Sequence, residues 1–181
     1  NAFTLAMCDQ INVAVDALES DPDVSALVVT GAGPVFCAGA DLSSLGDSRE
    51  HGLRAIYDGF LRIARCSLPT VAAVNGAAVG AGMNLALGCD LIVASENARF
   101  SEIFARRALS VDFGGTWLLP RLVGLHKAKE LAFFGDMLSA SEAREIGLVN
   151  RVVPDAGLDD FVADWASRLA QGPTIAVQMT K

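Results

Sequence analysis

The chain has 181 residues, 52% of them hydrophobic, which is enough to fill one core and short for two domains, so residues 1–181 are expected to form one domain. A net charge of −7 and an isoelectric point of 4.7 set up a field that repels a phosphate polymer and argue against a nucleic-acid partner. Mean hydropathy is +0.40, yet the longest apolar region, residues 68–95, carries Pro69, Asn75, Asn84, Asp90 and repeated glycines and cannot form one membrane-spanning helix.

In chain order, Met7, Ile11, Val15 and Leu18 recur at helical spacing, so a helix is predicted over Thr4 to Ser20 with Thr4 as its N-cap. Asp21-Pro22-Asp23 stops it, and Val24 to Thr30 is a buried strand. Ser43 to Glu50 is a polar loop, and Gly52 to Cys66 is a helix with Leu53, Ile56, Phe60, Leu61 and Ile63 inward. Thr70 to Val74 is a second strand, Ala81 to Leu87 a helix and Cys89 to Ala94 a third strand. Ser101 to Leu109 fits neither pattern. Thr116 to Val123 and His126 to Phe134 are helical. Ser139-Ala-Ser-Glu142 has the form of a capping box, with Gly147 ending the helix that it opens. Leu148 to Val153 is a last strand, Leu158 to Ala170 an amphipathic helix, and Pro173 opens another. Strands separated by helices, few aromatics and 17 Gly favour an α/β fold with a largely parallel sheet. Cys8, Cys37, Cys66 and Cys89 have no CxxC spacing and the chain has two His, so a metal site has little material. Buried thiols, and a start that lacks a basic signal region, point to the cytoplasm.

Two segments concentrate the chemistry. Phe36-Cys-Ala-Gly-Ala-Asp-Leu42 and Asn75-Gly-Ala-Ala-Val-Gly-Ala-Gly82 each follow a strand, and each is rich in small residues where the backbone must turn. Taken singly, each is an ordinary tight turn. Together they can aim two backbone N–H groups at one point, which is how an oxyanion hole is built.

These segments, with Val28-Val-Thr-Gly31, Pro69-Thr-Val-Ala-Ala-Val74, Cys89-Asp-Leu-Ile92, Gly114-Gly-Thr116, Pro120-Arg-Leu-Val-Gly124 and Ala143 to Val149, resemble the enoyl-CoA hydratase/isomerase (crotonase) superfamily in order and spacing. The resemblance spans essentially the whole chain. It implies ββα units coiled into the crotonase superhelix, homotrimers or hexamers made of two trimers, and acyl-CoA thioesters as substrates, with coenzyme A entering as part of the substrate and no separate cofactor. It also implies a chain without its usual first hairpin and C-terminal helices. By motif position the oxyanion donors are the N–H groups of Ala40 and Ala81. The backbone of Ala38, Asp41 and Leu42 would hold the adenine end of coenzyme A. Many relatives carry a basic residue where Ser43 stands, so the ribose-phosphate contact is unassigned here.

Hydratases of this superfamily place two Glu around a water, and those positions fall on Asn84 and Phe104. Neither side chain moves a proton near neutral pH. Glu102 lies two residues from Phe104 and is expected to be a solvated carboxylate. Asp112, in Ser110-Val-Asp-Phe-Gly-Gly-Thr-Trp117, stands where some isomerase members keep an Asp, and the stretch resembles ring-epoxide isomerases and dienoyl-CoA isomerases. One base suffices to shift a double bond, and apolar Val111, Phe113 and Trp117 should raise the Asp112 pKa; the competing role is an N-cap for the following helix. Arg106 and Arg107 are expected on a solvated face. Phe60, Phe104, Phe113 and Trp117 are candidates for the acyl pocket or the core, and Met7, Met83 and Met137 for core filling. The expected activity is therefore an enoyl-CoA isomerase with Ala40, Ala81 and Asp112 in the site. The alternatives are a hydratase and a silent acyl-CoA-binding protein.

Overall fold

The structure is a computed structural model and describes residues 1–41 and 49–181. Helix α1 (Leu5–Ser20) is capped by Thr4, whose side chain accepts from the Met7 N–H. Strand β1 (Leu27–Thr30) follows, then α2 (Arg49–Ala64), which packs on α1. The next unit is β2 (Thr70–Val74), β3 (Ala77–Val79) and α3 (Ala81–Leu87). The unit after it begins with β4 (Leu91–Ser95) and β5 (Arg99–Ser101), then a 3-10 turn, Ile103–Arg107, before α4 (Gly115–Val123) and α5 (Leu125–Phe134). The chain continues through β6 (Leu138–Ser139), α6 (Ala140–Glu145), β7 (Arg151–Val153), α7 (Leu158–Ala170) and α8 (Thr174–Thr180). Ser139 and Glu142 form the predicted capping box on α6.

Strands β1–β2–β4–β7 make a wholly parallel sheet. Strand β2 is buried at every residue because both its faces are covered, which is why it shows no polar alternation. Its side chains divide by the period of two. Ala72 and Val74 join the main core, and Val71 and Ala73 pack on Leu158 and Val162 of α7. A second sheet, β3–β5–β6, has β3 and β5 parallel and β6 antiparallel. It is absent from the sequence reading, which runs the Asn75–Gly82 segment as one turn. The break falls at Asn75-Gly76, where the chain leaves one sheet for the other. There Asn75 Nδ2 donates to Gly31 O (2.9 Å) and Gly33 O (2.7 Å), and Asn75 Oδ1 accepts from Gly31 N–H (3.2 Å), tying the exits of β1 and β2 together.

The four cysteines are free and buried, and burial pushes the Cys89 thiol up to about 12. Met83 fills the core as expected, whereas Met137 is exposed. Among the described residues no helix is long and apolar enough to cross a membrane.

Candidate active site

The two Gly/Ala turns meet. Cys37 N–H donates to Ala77 O (3.0 Å) and Val79 N–H to Cys37 O (2.9 Å), so the first turn pairs along β3. On its other side Phe3 N–H donates to Gly39 O and Asp41 N–H to Phe3 O, both at 2.8 Å. The Gly39–Ala40 peptide is thereby pinned by its carbonyl. In a trans peptide the N–H points the opposite way, so the Ala40 N–H faces away from Phe3. The second turn works differently. Gly80 N–H donates to Ser101 O (2.8 Å), and Gly80 O accepts the first bond of α3 from Asn84 N–H (3.0 Å). This leaves the Ala81 N–H at the open end of the helix, where no intrahelical acceptor exists. Among the described residues neither N–H has an acceptor. Both are preceded by a glycine at positive φ, Gly39 at 112° and Gly80 at 55°, conformations that L side chains rarely adopt.

Ala38, Gly39, Ala40 and Asp41 from the first turn and Val79, Gly80 and Ala81 from the second line one cavity of about 570 Å³. Ile103, Phe104 and Leu109 supply its apolar wall, and Arg107 and Asp112 complete the lining. The residues predicted for the site thus come together, except Leu42, which lies outside the described residues, as does Ser43.

Asp112 is held by its neighbours. Phe113 takes a left-handed backbone (φ 45°), a conformation that costs a non-glycine residue about 1–3 kcal/mol. Its ring offsets this by burial among Tyr57, Phe60 and Phe3, with centroids at 4.5, 4.7 and 6.2 Å. Asp112 is not the cap of α4. Gly114 is, and the bond there runs from Gly115 N–H to Asp112 O (2.8 Å). Trp117 does not line the cavity. It is exposed, with the Arg121 guanidinium 3.1 Å above its ring.

Glu102 overturns expectation. Only 1% of it is exposed, and among the described residues both its carboxylate oxygens lack a hydrogen-bond partner, as do Asp112 Oδ1 and Asn84 Oδ1. Asn84, fully buried, donates from Nδ2 to Asp112 O (3.0 Å). Burial pushes the Asp112 carboxyl up to about 7, and the Asn84 amide offsets part of the rise. Burial and then the Asp112 charge push Glu102 up to about 8, again partly offset by Asn84. The Tyr57 phenol, raised mainly by burial, also feels Asp112. Glu102 is the residue that the sequence reading misplaces; Arg107, read as part of a solvated face, is exposed and also lines the cavity. One signal was available. Phe100, Glu102 and Phe104 alternate with a period of two, and both aromatics are buried.

The two raised pKa values carry a stability cost. Each carboxyl is ionised in the unfolded chain above its ordinary pKa of about 4 and must take up a proton to fold. The contribution of these two groups is therefore full at acid pH and falls as pH rises toward 7–8, by up to about 1.4 kcal/mol per pH unit for each group. Urea denaturation between pH 5 and pH 8 should show this decline, and a flat curve would refute it.

The comparisons with known proteins agree with this geometry. The family profile described as Enoyl-CoA hydratase/isomerase matches residues 1–181. The chain belongs to the enoyl-CoA hydratase/isomerase family. It is 46% identical over 180 residues to the Mycobacterium tuberculosis protein named "Probable enoyl-CoA hydratase EchA14", covering 97% of this chain and 68% of that one. It is 38% identical over 189 residues to the 1,2-epoxyphenylacetyl-CoA isomerase of Escherichia coli, covering 100% of this chain and 72% of that one. The crystal structure of the enoyl-CoA hydratase from Bacillus anthracis matches with a TM-score of 0.94 at 34% identity, covering 99% of this chain and 72% of that one. The two sheets and their helices are thus the crotonase fold.

Proposed function

We propose that this family member moves a double bond along an enoyl-CoA thioester, with Asp112 carrying the proton and the Ala40 and Ala81 N–H groups holding the enolate oxygen. The observation that carries it is that Asp112 lines the same cavity as two N–H groups that have no acceptor among the described residues. Asp112 removes a proton from the carbon next to the unsaturated pair. The electron pair moves through the conjugated system onto the thioester oxygen, between the two donors, and the proton returns from Asp112 two carbons away. Each donor is worth about 3–4 kcal/mol in such reactions. A carboxyl at about 7 is matched to both halves of this transfer at neutral pH, because it neither holds nor releases the proton too strongly. In this reading coenzyme A arrives with the substrate, with Ala38 and Asp41 on its side of the cavity.

A hydratase reading has one specific observation in its favour: Glu102 is close enough to Asp112 to feel its charge, so two carboxyls stand together. Against it, Glu102 does not line the cavity, whereas Asp112 does. The test offers purified protein 3-enoyl-CoA and 2-enoyl-CoA and follows migration and hydration separately. Migration without comparable hydration supports the isomerase. Fast hydration that survives Asp112→Asn would sink it.

A further inference from the structure

Around Asp112, which lines the cavity, the side chains of Asn84, Glu102 and Asp112 present an imbalance of donors and acceptors. Asn84 Oδ1, both Glu102 oxygens and Asp112 Oδ1 are buried acceptors without a partner among the described residues. Asn84 Nδ2 has two hydrogens, one already given to Asp112 O (3.0 Å). If both carboxyls were ionised, the one remaining amide hydrogen would face three carboxylate oxygens, and these three side chains would offer no donor to Asn84 Oδ1. A proton on the sealed carboxyl removes the imbalance.

We propose that Glu102 is a positioning residue for Asp112: it carries a proton that it donates to Asn84 Oδ1, and so orients the amide whose Nδ2 holds the Asp112 backbone. This role rests on Asp112 being the base of the proposed isomerase. Room for the amide is made by Gly115, where an added Cβ would lie 2.4 Å from Asn84 Oδ1 and 2.7 Å from its Nδ2. The amide thus occupies the space that a side chain at 115 would fill, and a Glu102 proton on Oδ1 adds to the Nδ2 bond to Asp112 O in fixing its orientation. Among the described residues the surroundings add no competing charge. Arg106 is turned away to Phe134 O (2.7 Å) and to Asp136, Arg107 is exposed at the cavity, and Tyr57 on α2 responds to Asp112. Among the described residues Asp112 is the one charged group that shifts Glu102. The Glu102 backbone is closed over by Gly135 at the end of α5, where an added Cβ would stand 3.2 Å from Glu102 O, and Ser101 Oγ donates to Gly135 O (3.0 Å).

At alkaline pH Glu102 ionises, Asn84 Oδ1 then faces an anion, and the amide loses the bond that orients it. Turnover should fall with that second ionisation, so the pH profile of kcat/KM is bell-shaped, with limbs near 7 and 8. Glu102→Gln keeps a hydrogen to donate and cannot ionise. We expect it to lose the alkaline limb and keep the rising one, with neutral-pH activity within about threefold of the unsubstituted protein. A second readout needs no substrate. Infrared difference spectra of the full chain should show a protonated carboxyl band that titrates near 8, on the alkaline side of the Asp112 carboxyl near 7, and this alkaline component is missing in Glu102→Gln. Survival of the alkaline limb in Glu102→Gln, or absence of the alkaline component from the unsubstituted protein, overturns the proposal. So does a large loss of hydratase activity in Glu102→Gln, which would make Glu102 a reacting group. A chain that turns over no enoyl-CoA but shows the alkaline component, lost in Glu102→Gln, retains the Glu102 proton and fails the isomerase reading instead.

Discussion

Asp112→Asn is expected to slow double-bond migration by about 100- to 10,000-fold while changing thioester binding little. Asn has nearly the shape of Asp and keeps the local chain in place, because what holds this segment is backbone and aromatic packing. Asn84 donates to the Asp112 carbonyl, Gly115 N–H donates to the same carbonyl, and the Phe113 ring is packed among Phe3, Tyr57 and Phe60. What the substitution removes is the ability to accept and return a proton. The Ala40 and Ala81 N–H groups proposed to hold the enolate oxygen are untouched, so residual polarisation of the carbonyl is expected to remain. Steady-state kinetics on 3-enoyl-CoA should therefore show the loss in kcat, with KM within a few fold. Equal losses in binding and turnover would mean that Asp112 positions substrate, and an unchanged kcat would remove it from the chemistry.

The parts of the site legible in the sequence are those whose chemistry resides in the backbone or in one short motif. Gly39-Ala40 and Gly80-Ala81 state their geometry locally, because a glycine at positive φ before a small residue fixes where an N–H points. Asp112 is legible from its motif, and its place in the cavity follows. Its surroundings were less legible: Trp117, as apolar as the core residues near it in the chain, lies on the exposed face of α4. Strands β3, β5 and β6 are too short to carry a periodicity and form only by pairing across the chain, as Ala77 with Arg99 and Phe100 with Leu138. Glu102 was misread for the same reason. Beside Arg106 and Arg107 it has the local character of a solvated charge. Its burial comes from α3, from the Asp112 segment and from Gly135 at the end of α5. Local composition reports the solvation of a residue only when no distant segment closes over it.

The second large effect is expected from Gly82→Ala, and it tests whether the two turns work as one device. Gly82 is the second residue of α3, and a Cβ there would lie 2.0 Å from Cys37 O and 2.6 Å from Cys37 C. Real Cβ atoms essentially never come within 3.0 Å, and the obstacle is backbone, so α3 and the first turn must separate by about 1 Å. The carbonyl in the way is the one that accepts from Val79 N–H (2.9 Å), the bond that couples the first turn to β3. Overpacking of this kind costs about 1–3 kcal/mol, and more where backbone has to move. The separation also falls between the Ala40 and Ala81 N–H groups. A donor pair spread by about 1 Å no longer converges on one oxygen, which should lower kcat by about 100-fold. Gly157→Ala is the control, since nothing lies within 4 Å of a Cβ there and the backbone φ is −103°. Thermal unfolding and kcat measured on both variants separate the effects. Loss of stability with full activity in Gly82→Ala would show that the turns need not be in register. Joint loss, with Gly157→Ala unaffected, is the outcome expected if close approach of α3 to Cys37 is what brings the two donors together.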